Sequence, residues 1–123
     1  MGISQRILVV EDEDNILMLL RDNLVFEGYD VLEAKDGQQA IDFAVEEKPD
    51  LIVLDIGLPV IDGWDVCQRL RNSGIPIIVL SARAQDSDIQ RGREYGVNAY
   101  LKKPCSPKEL IDKIKTCLNQ REK

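Results

Sequence analysis

Histidine is absent from this 123-residue chain, which removes imidazole as general base, nucleophile or metal ligand and leaves carboxylates, hydroxyls and lysines to carry any chemistry. Three carboxylates stand out by their local setting. Asp55 closes the apolar run Leu51 to Leu54 in "LIVLDIGLP", and Glu11 and Asp12 follow "RILVV" at Arg6 to Val10 directly. Ser81 comes straight after "PIIVL" at Pro76 to Leu80, and Lys103 stands just beyond "AYL" at Ala99 to Leu101. Carboxylates gathered in a partly buried site raise one another's pKa unless a cation sits among them, and oxygen-only ligation suits Mg2+. Taken alone, "VVEDED" reads equally well as a solvated acidic cap on a helix that starts near Asp14, where the dipole favours negative charge.

These groups need a scaffold that brings them together. The runs at Arg6 to Val10, Asp30 to Ala34, Leu51 to Leu54, Pro76 to Leu80 and Ala99 to Leu101 read as strands. The first, third and fourth are apolar without alternation, as expected when helices cover both faces of a parallel sheet. Between and after them lie helical patterns: Asp14 to Glu27 with Gly28 as its stop, Gln38 to Lys48 ahead of Pro49, and Trp64 to Asn72 before Gly74. A fourth covers roughly Asp86 to Tyr95, and a fifth runs from Ser106 to Gln120 behind the capping sequence "SPKE". The fourth carries one aliphatic residue, Ile89, and an internal Gly92, so it is expected to bury little. The string is α/β, a (βα)5 unit that right-handed crossovers wind into a doubly wound parallel five-stranded sheet. In such sheets ligands bind at the carboxyl ends of the strands, where Glu11, Asp12, Asp55, Ser81 and Lys103 all lie.

Composition bounds the partners. With 44% hydrophobic residues and no linker-like stretch, one domain over residues 1–123 is expected, its core spanning about residues 6–118. The net charge of -6 and the scattered lysines and arginines give no footprint for a phosphate backbone, so direct nucleic-acid binding is not expected. Cys67, Cys105 and Cys117 lack metal or disulfide spacing and read as free thiols in a reducing compartment. No segment has the pattern of a signal peptide or the length of a membrane span, which makes a cytoplasmic location the expectation.

Four stretches, "LVVEDE", "LIVLDIGLPVIDG", "IIVLSAR" and "AYLKKP", stand in an order and at a spacing that resemble the response-regulator receiver domains of two-component signalling, a flavodoxin-like fold. The resemblance runs from Arg6 to about Leu118. It implies that Asp55 accepts a phosphoryl group from a phosphohistidine on a sensor histidine kinase or phosphotransfer protein. It further implies that Asp12 binds Mg2+ directly, that Glu11 acts through water, and that Asp55 and the backbone carbonyl of Gly57 complete the protein ligands. Lys103 would pair with Asp55 at rest and with a phosphoryl oxygen afterwards. Ser81 and Tyr100 would form the switch, Ser81 moving inward towards the added oxygens and Tyr100 turning into the space it vacates. The Lys103–Pro104 bond would be cis.

The departures are local. Cys105 stands where the family usually has Phe, Leu58 where many members have Met, and the Asp55 to Ser81 interval is slightly short around "RNSGIP". Two other readings compete: a small phosphatase using Asp55 as nucleophile, and a receiver-like module that only binds protein. The first wants a second acid two residues on, where Gly57 stands; the second would be expected to lack Asp55, Lys103 or part of the acidic pair. Winged-helix regulators dimerise through the fourth helix, fifth strand and fifth helix on a charge pattern that here loses an Arg to Ile89 and an Asp pair to Asn98 and Ala99. That salt-bridged dimer is therefore not expected, and Ile89 and Tyr95 are instead expected to offer an apolar patch to an output protein of unknown identity.

Overall fold

The computed structural model describes residues 4–83 and 85–122, with Arg121 and Glu122 given by their backbone alone. Met1 to Ile3, Ala84 and Lys123 of the expected domain lie outside the described residues. Along the chain run β1 (Arg6–Val10), α1 (Asp14–Phe26), β2 (Asp30–Ala34), α2 (Gly37–Glu47), β3 (Leu51–Leu54) and α3 (Gly63–Arg69). They are followed by β4 (Ile77–Ser81), α4 (Asp86–Glu94), β5 (Ala99–Lys102) and α5 (Pro107–Glu122). All four strand pairings are parallel and the order is β2-β1-β3-β4-β5, so the order reverses beside β1 and β3, the two strands that end in Glu11 and Asp55.

The missing alternation of the central strands has a direct cause. Leu8, Val10, Ile52, Leu54 and Val79 pack with Ala40, Ala44, Val66 and Leu70 of α2 and the α3 segment. The intervening Ile7, Val9, Leu51, Val53, Ile78 and Leu80 pack with Leu17 and Leu24 of α1 and with Leu110, Ile111 and Ile114 of α5. Each strand thus feeds two cores. Burying one such side chain is worth about 1.5–3 kcal/mol, which sets the register firmly on both faces.

Most helix ends lie where the punctuation puts them. Asp36 accepts the Gln39 N–H at the start of α2, and Ser106 accepts the Glu109 N–H at the start of α5. Gly28 closes the α1 turn at φ 95°. α2 and α3 each start one residue early, α5 runs two residues past Gln120, and α3 stops three residues short of Asn72. Asp62 accepts from both Trp64 and Asp65 and starts α3 at Gly63, while the Ser73 hydroxyl, bonded to the Leu70 carbonyl at 2.7 Å, turns the chain before Asn72 can join it. β4 begins at Ile77 because Pro76 has no N–H, and it extends to Ser81, which pairs with Lys102. As expected, α4 is weakly anchored, with only Asp88 and Gly92 buried.

Candidate functional site

Hydrogen bonds beyond the strands fix the site. The Glu11 N–H donates to the Ala34 carbonyl (3.0 Å), the Asp55 N–H to the Val10 carbonyl (3.0 Å) and the Lys103 N–H to the Ser81 carbonyl (2.7 Å). Three side chains from three strands are thereby held by the sheet itself rather than by loops. Glu11, Asp12 and Asp55 each place one carboxylate oxygen within 4.8 Å of the others. Lys103 Nζ donates to Glu11 Oε1 at 2.7 Å and lies 3.4 Å from Asp55 Oδ2.

The ammonium therefore sits closer to Glu11 than to the expected Asp55. Burial explains the choice, since the Glu11 side chain is 3% exposed and that of Asp55 14%: the more deeply buried charge costs more to leave unmatched. Burial pushes the Glu11 carboxyl above the ordinary carboxylate range and the Asp55 charge adds to it, while bonds from Lys103 and the Glu13 N–H oppose the rise. Burial pulls Lys103 down, but its bond to Glu11 and the charge of Asp55 more than offset this and keep it above the ordinary lysine range. Three hard oxygen ligands with one ammonium between them leave a net negative pocket, which fits a divalent cation of the Mg2+ type.

The β3–α3 loop is pressed against the site by two glycines. A Cβ on Gly63 would lie 2.5 Å from Ile56 Cα and 2.8 Å from the Asp55 carbonyl oxygen, and one on Gly37 would lie 2.0 Å from the Ile61 carbonyl oxygen. Gly37, at the start of α2, has no signal in its own neighbourhood that identifies this role. Gly57 stands exposed beside Asp55, its N–H 3.3 Å from Asp55 Oδ1, and a Cβ there would meet nothing within 4 Å. Val60 is held at φ 69° in a turn in which the Ile61 N–H bonds the Pro59 carbonyl.

Ser81 is buried, and its Oγ accepts the Arg83 N–H at 3.1 Å. The Tyr100 hydroxyl donates to the Arg83 carbonyl, so one residue's backbone joins both expected switch residues. The Arg83 guanidinium turns towards the buried Asp88 at 3.5 Å. Asp88 also accepts the Gln85 N–H in a reciprocal cap of α4, a role its sequence neighbourhood did not announce. The Lys103–Pro104 bond is cis. Cys105 lies on the wall of an apolar cleft of about 180 Å³ between α1 and α5, lined also by Ile16, Leu20, Leu80, Leu110 and Ile111, which is the packing that a bulkier residue would supply.

The expected apolar patch on α4 does not form. Ile89 and Tyr95 are both half-buried, and Tyr95 packs against Trp64 with ring centroids 5.5 Å apart. The more exposed apolar side chains lie elsewhere, among them Leu19 and Phe26 on α1 and Val60 in the β3–α3 loop. No helix among the described residues is long and apolar enough to cross a membrane.

The sequence model of the response regulator receiver domain matches residues 7–115. The chain is 44% identical over 122 residues to the alkaline phosphatase synthesis transcriptional regulatory protein PhoP of Bacillus subtilis, covering 98% of this chain and 51% of that protein. It thus spans about half the length of the curated relatives it matches. Among solved structures it is similar to a CheY-like receiver domain protein from Methanospirillum hungatei, with a TM-score of 0.93 and 30% identity over 98% of both chains. It is also similar to the receiver domain of a sensor histidine kinase from Pseudomonas aeruginosa, with a TM-score of 0.87 and 32% identity over 95% of this chain and 99% of that one. That structure has a magnesium ion coordinated in its active site cleft.

Proposed function

This chain belongs to the response regulator receiver domains, a family of signalling modules rather than enzymes, and from that premise we propose that it is a Mg2+-dependent switch phosphorylated on Asp55. The observation that carries the reading is the meeting of the Asp55 carboxylate with Glu11, Asp12 and Lys103 on the ends of three strands. An Asp55 oxygen attacks the phosphorus of a phosphohistidine on a sensor kinase or phosphotransfer protein, the P–N bond breaks, and the leaving imidazole takes up a proton. Asp12, Asp55 and the Gly57 carbonyl would hold the Mg2+, with Glu11 acting through water. The bound ion supplies charge neutralisation for the transferred group. Lys103 needs little movement to turn from Glu11 to a phosphoryl oxygen, and its raised pKa keeps it charged for that purpose. Positioning and neutralisation of this kind account for most of the catalysis of phosphoryl transfer.

Phosphorylation adds about -1.5 to -2 charge and three acceptor oxygens. Ser81 Oγ is the hydroxyl on β4 that would turn to them, exchanging its bond from the Arg83 N–H for one it donates. Tyr100 then carries the change to the face of α4, β5 and α5. The Bacillus subtilis relative is named a transcriptional regulatory protein, and transcription control enters here as a proposal in which an output domain or protein distinct from these residues reads that face.

The test is incubation with acetyl phosphate and Mg2+ followed by intact-mass measurement. One base-labile phosphoryl group is expected, lost in Asp55→Asn and on chelation of the metal. Stoichiometric labelling of the Asp55→Asn protein would remove Asp55 from its assigned role.

A further inference from the structure

We infer that Trp64 and Arg91 are positioning residues for Tyr100, forming with Gly92 a clamp that makes the inward position of its phenol and the seating of α4 a single packing event. The inference rests on the switch reading above and extends it to residues that neither bind metal nor meet the phosphoryl group.

The Tyr100 ring lies between two helices. On the α3 side its centroid is 6.2 Å from that of Trp64, which is 4% exposed and also packs on Tyr95 at 5.5 Å. On the α4 side it meets Gly92, where an added Cβ would come within 3.2 Å of Tyr100 Cδ2 and 3.0 Å of Val97 Cγ2. Arg91 closes the cluster from solvent, its guanidinium carbon 4.9 Å from the Trp64 ring centroid and 5.6 Å from that of Tyr95. Since Gly92 is one of only two buried residues of α4, much of what fastens this helix is the same cluster. An outward Tyr100 would uncover one face of Trp64 and leave the surface above Gly92 without its partner, so the ring has two discrete positions rather than a continuum.

The link to the phosphoryl site runs through the backbone of Arg83, beside a direct hydrogen-bonding contact between the Tyr100 and Ser81 side chains. The Arg83 N–H is bonded to Ser81 Oγ and the Arg83 carbonyl accepts the Tyr100 hydroxyl. A Ser81 hydroxyl drawn towards Asp55 releases one end of Arg83 while the clamp holds the other through Tyr100. With the two ends coupled in this way, whatever stabilises the inward phenol also alters affinity for a phosphoryl mimic, and by linkage the factor is the same in both directions.

Binding of beryllofluoride with Mg2+, measured by calorimetry, tests this together with the 19F resonance of Tyr100 in protein labelled with 3-fluorotyrosine. Arg91→Ala is expected to weaken beryllofluoride about 2- to 5-fold, the range of an exposed cation–π contact. It is also expected to move the Tyr100 resonance towards its solvent-exposed position before any ligand is added. Arg91→Lys should restore most of both effects. Gly92→Ala should do the same more strongly, and if it fails to fold, the solvent-exposed Arg91 decides alone. Acetyl phosphate should still label Asp55 in Arg91→Ala. Unchanged beryllofluoride affinity with an unmoved Tyr100 resonance in Arg91→Ala would overturn the inference. If the unmodified protein is never labelled at Asp55, the switch reading fails instead, while the resonance still reports whether the clamp exists.

Discussion

Gly57 offers an attacking water no side chain to hold it in line with the phosphorus. On the proposed function, a longer-lived phosphoryl group than in a chemotaxis-type regulator is expected; a cation at Arg83 could also shield the group, but its guanidinium turns to Asp88 instead, which leaves Gly57 to carry the expectation. The space beside Gly57 is open, so Gly57→Asn introduces an amide without a clash. It should shorten the lifetime by about tenfold or more, read as loss of phosphoryl mass after the donor is removed. An unchanged lifetime would assign the decay rate to other groups. Cys67 yields a pH prediction. Burial, with the Asp62 charge adding, pushes its thiol up to about 12, so the folded chain keeps a proton that the unfolded chain releases above the ordinary thiol range. Its contribution to stability is whole below that range and is lost as pH rises towards about 12. The difference amounts to at most about 4 kcal/mol. In urea titrations from pH 8 to 11, Cys67→Ala should start less stable than the natural protein, by a cavity cost of about 1–2 kcal/mol, and lose less on alkalinisation. At this scale the sequence was legible wherever a polar group ends an apolar run, as at Asp55, and mute where the cause lies in a distant segment. Gly37 is constrained by the Ile61 backbone, and nothing near Gly37 in the chain says so.

Among the elements, the β3–α3 loop carries visible strain. A β-branched residue in the left-handed region costs roughly 1–2 kcal/mol, and the Val60 side chain, 79% exposed, recovers little of it by packing. Val60→Gly should raise the urea midpoint by an amount equivalent to roughly 1 kcal/mol at unchanged slope, part of the relief being offset by the entropy glycine adds to the unfolded chain. A lower midpoint would mean that the side chain holds the loop. The strands were readable almost to the residue because two-sided burial leaves an apolar run with sharp ends. The α3 terminus was not, because the Ser73 hydroxyl competes for the last carbonyls in a way that helical periodicity does not reveal. In α4 the low apolar content was legible but the reason for Gly92 was not. The ring that needs its bare surface belongs to β5.

For the whole molecule, the question is whether two copies pair. Asn98 is committed within its own chain: its N–H donates to the Ile77 carbonyl at 2.8 Å and its Oδ1 accepts the Ile77 N–H at 3.0 Å. Ile89 is neutral and half-buried, and Lys113 is exposed with no ion pair among the described residues. With Ile89, Asn98 and Ala99 neutral, a salt-bridged pairing of the α4, β5 and α5 faces lacks three of its charges and leaves Lys113 without its match. Sedimentation of the beryllofluoride-activated chain should show no tight dimer of that kind. A dimer that weakens steeply with salt and breaks on Lys113→Ala would show otherwise.

The strand order has a further consequence for quality control. Arg6 pairs with Asp30 and Ile78 with Ala99 across a single helix, but β3 pairs with β1 on one side and β4 on the other and so joins the early and late parts of the chain. Glu11 comes from one part, Lys103 from the other, and Asp55 from the strand between them. On the proposed function, a chain caught half-assembled, whether on the ribosome or in recovery from heat, would not bring the three together and would have no means of taking up a phosphoryl group. On that reading, competence to carry the signal would itself be a readout of completed folding, and partly folded copies would stay silent rather than send false messages.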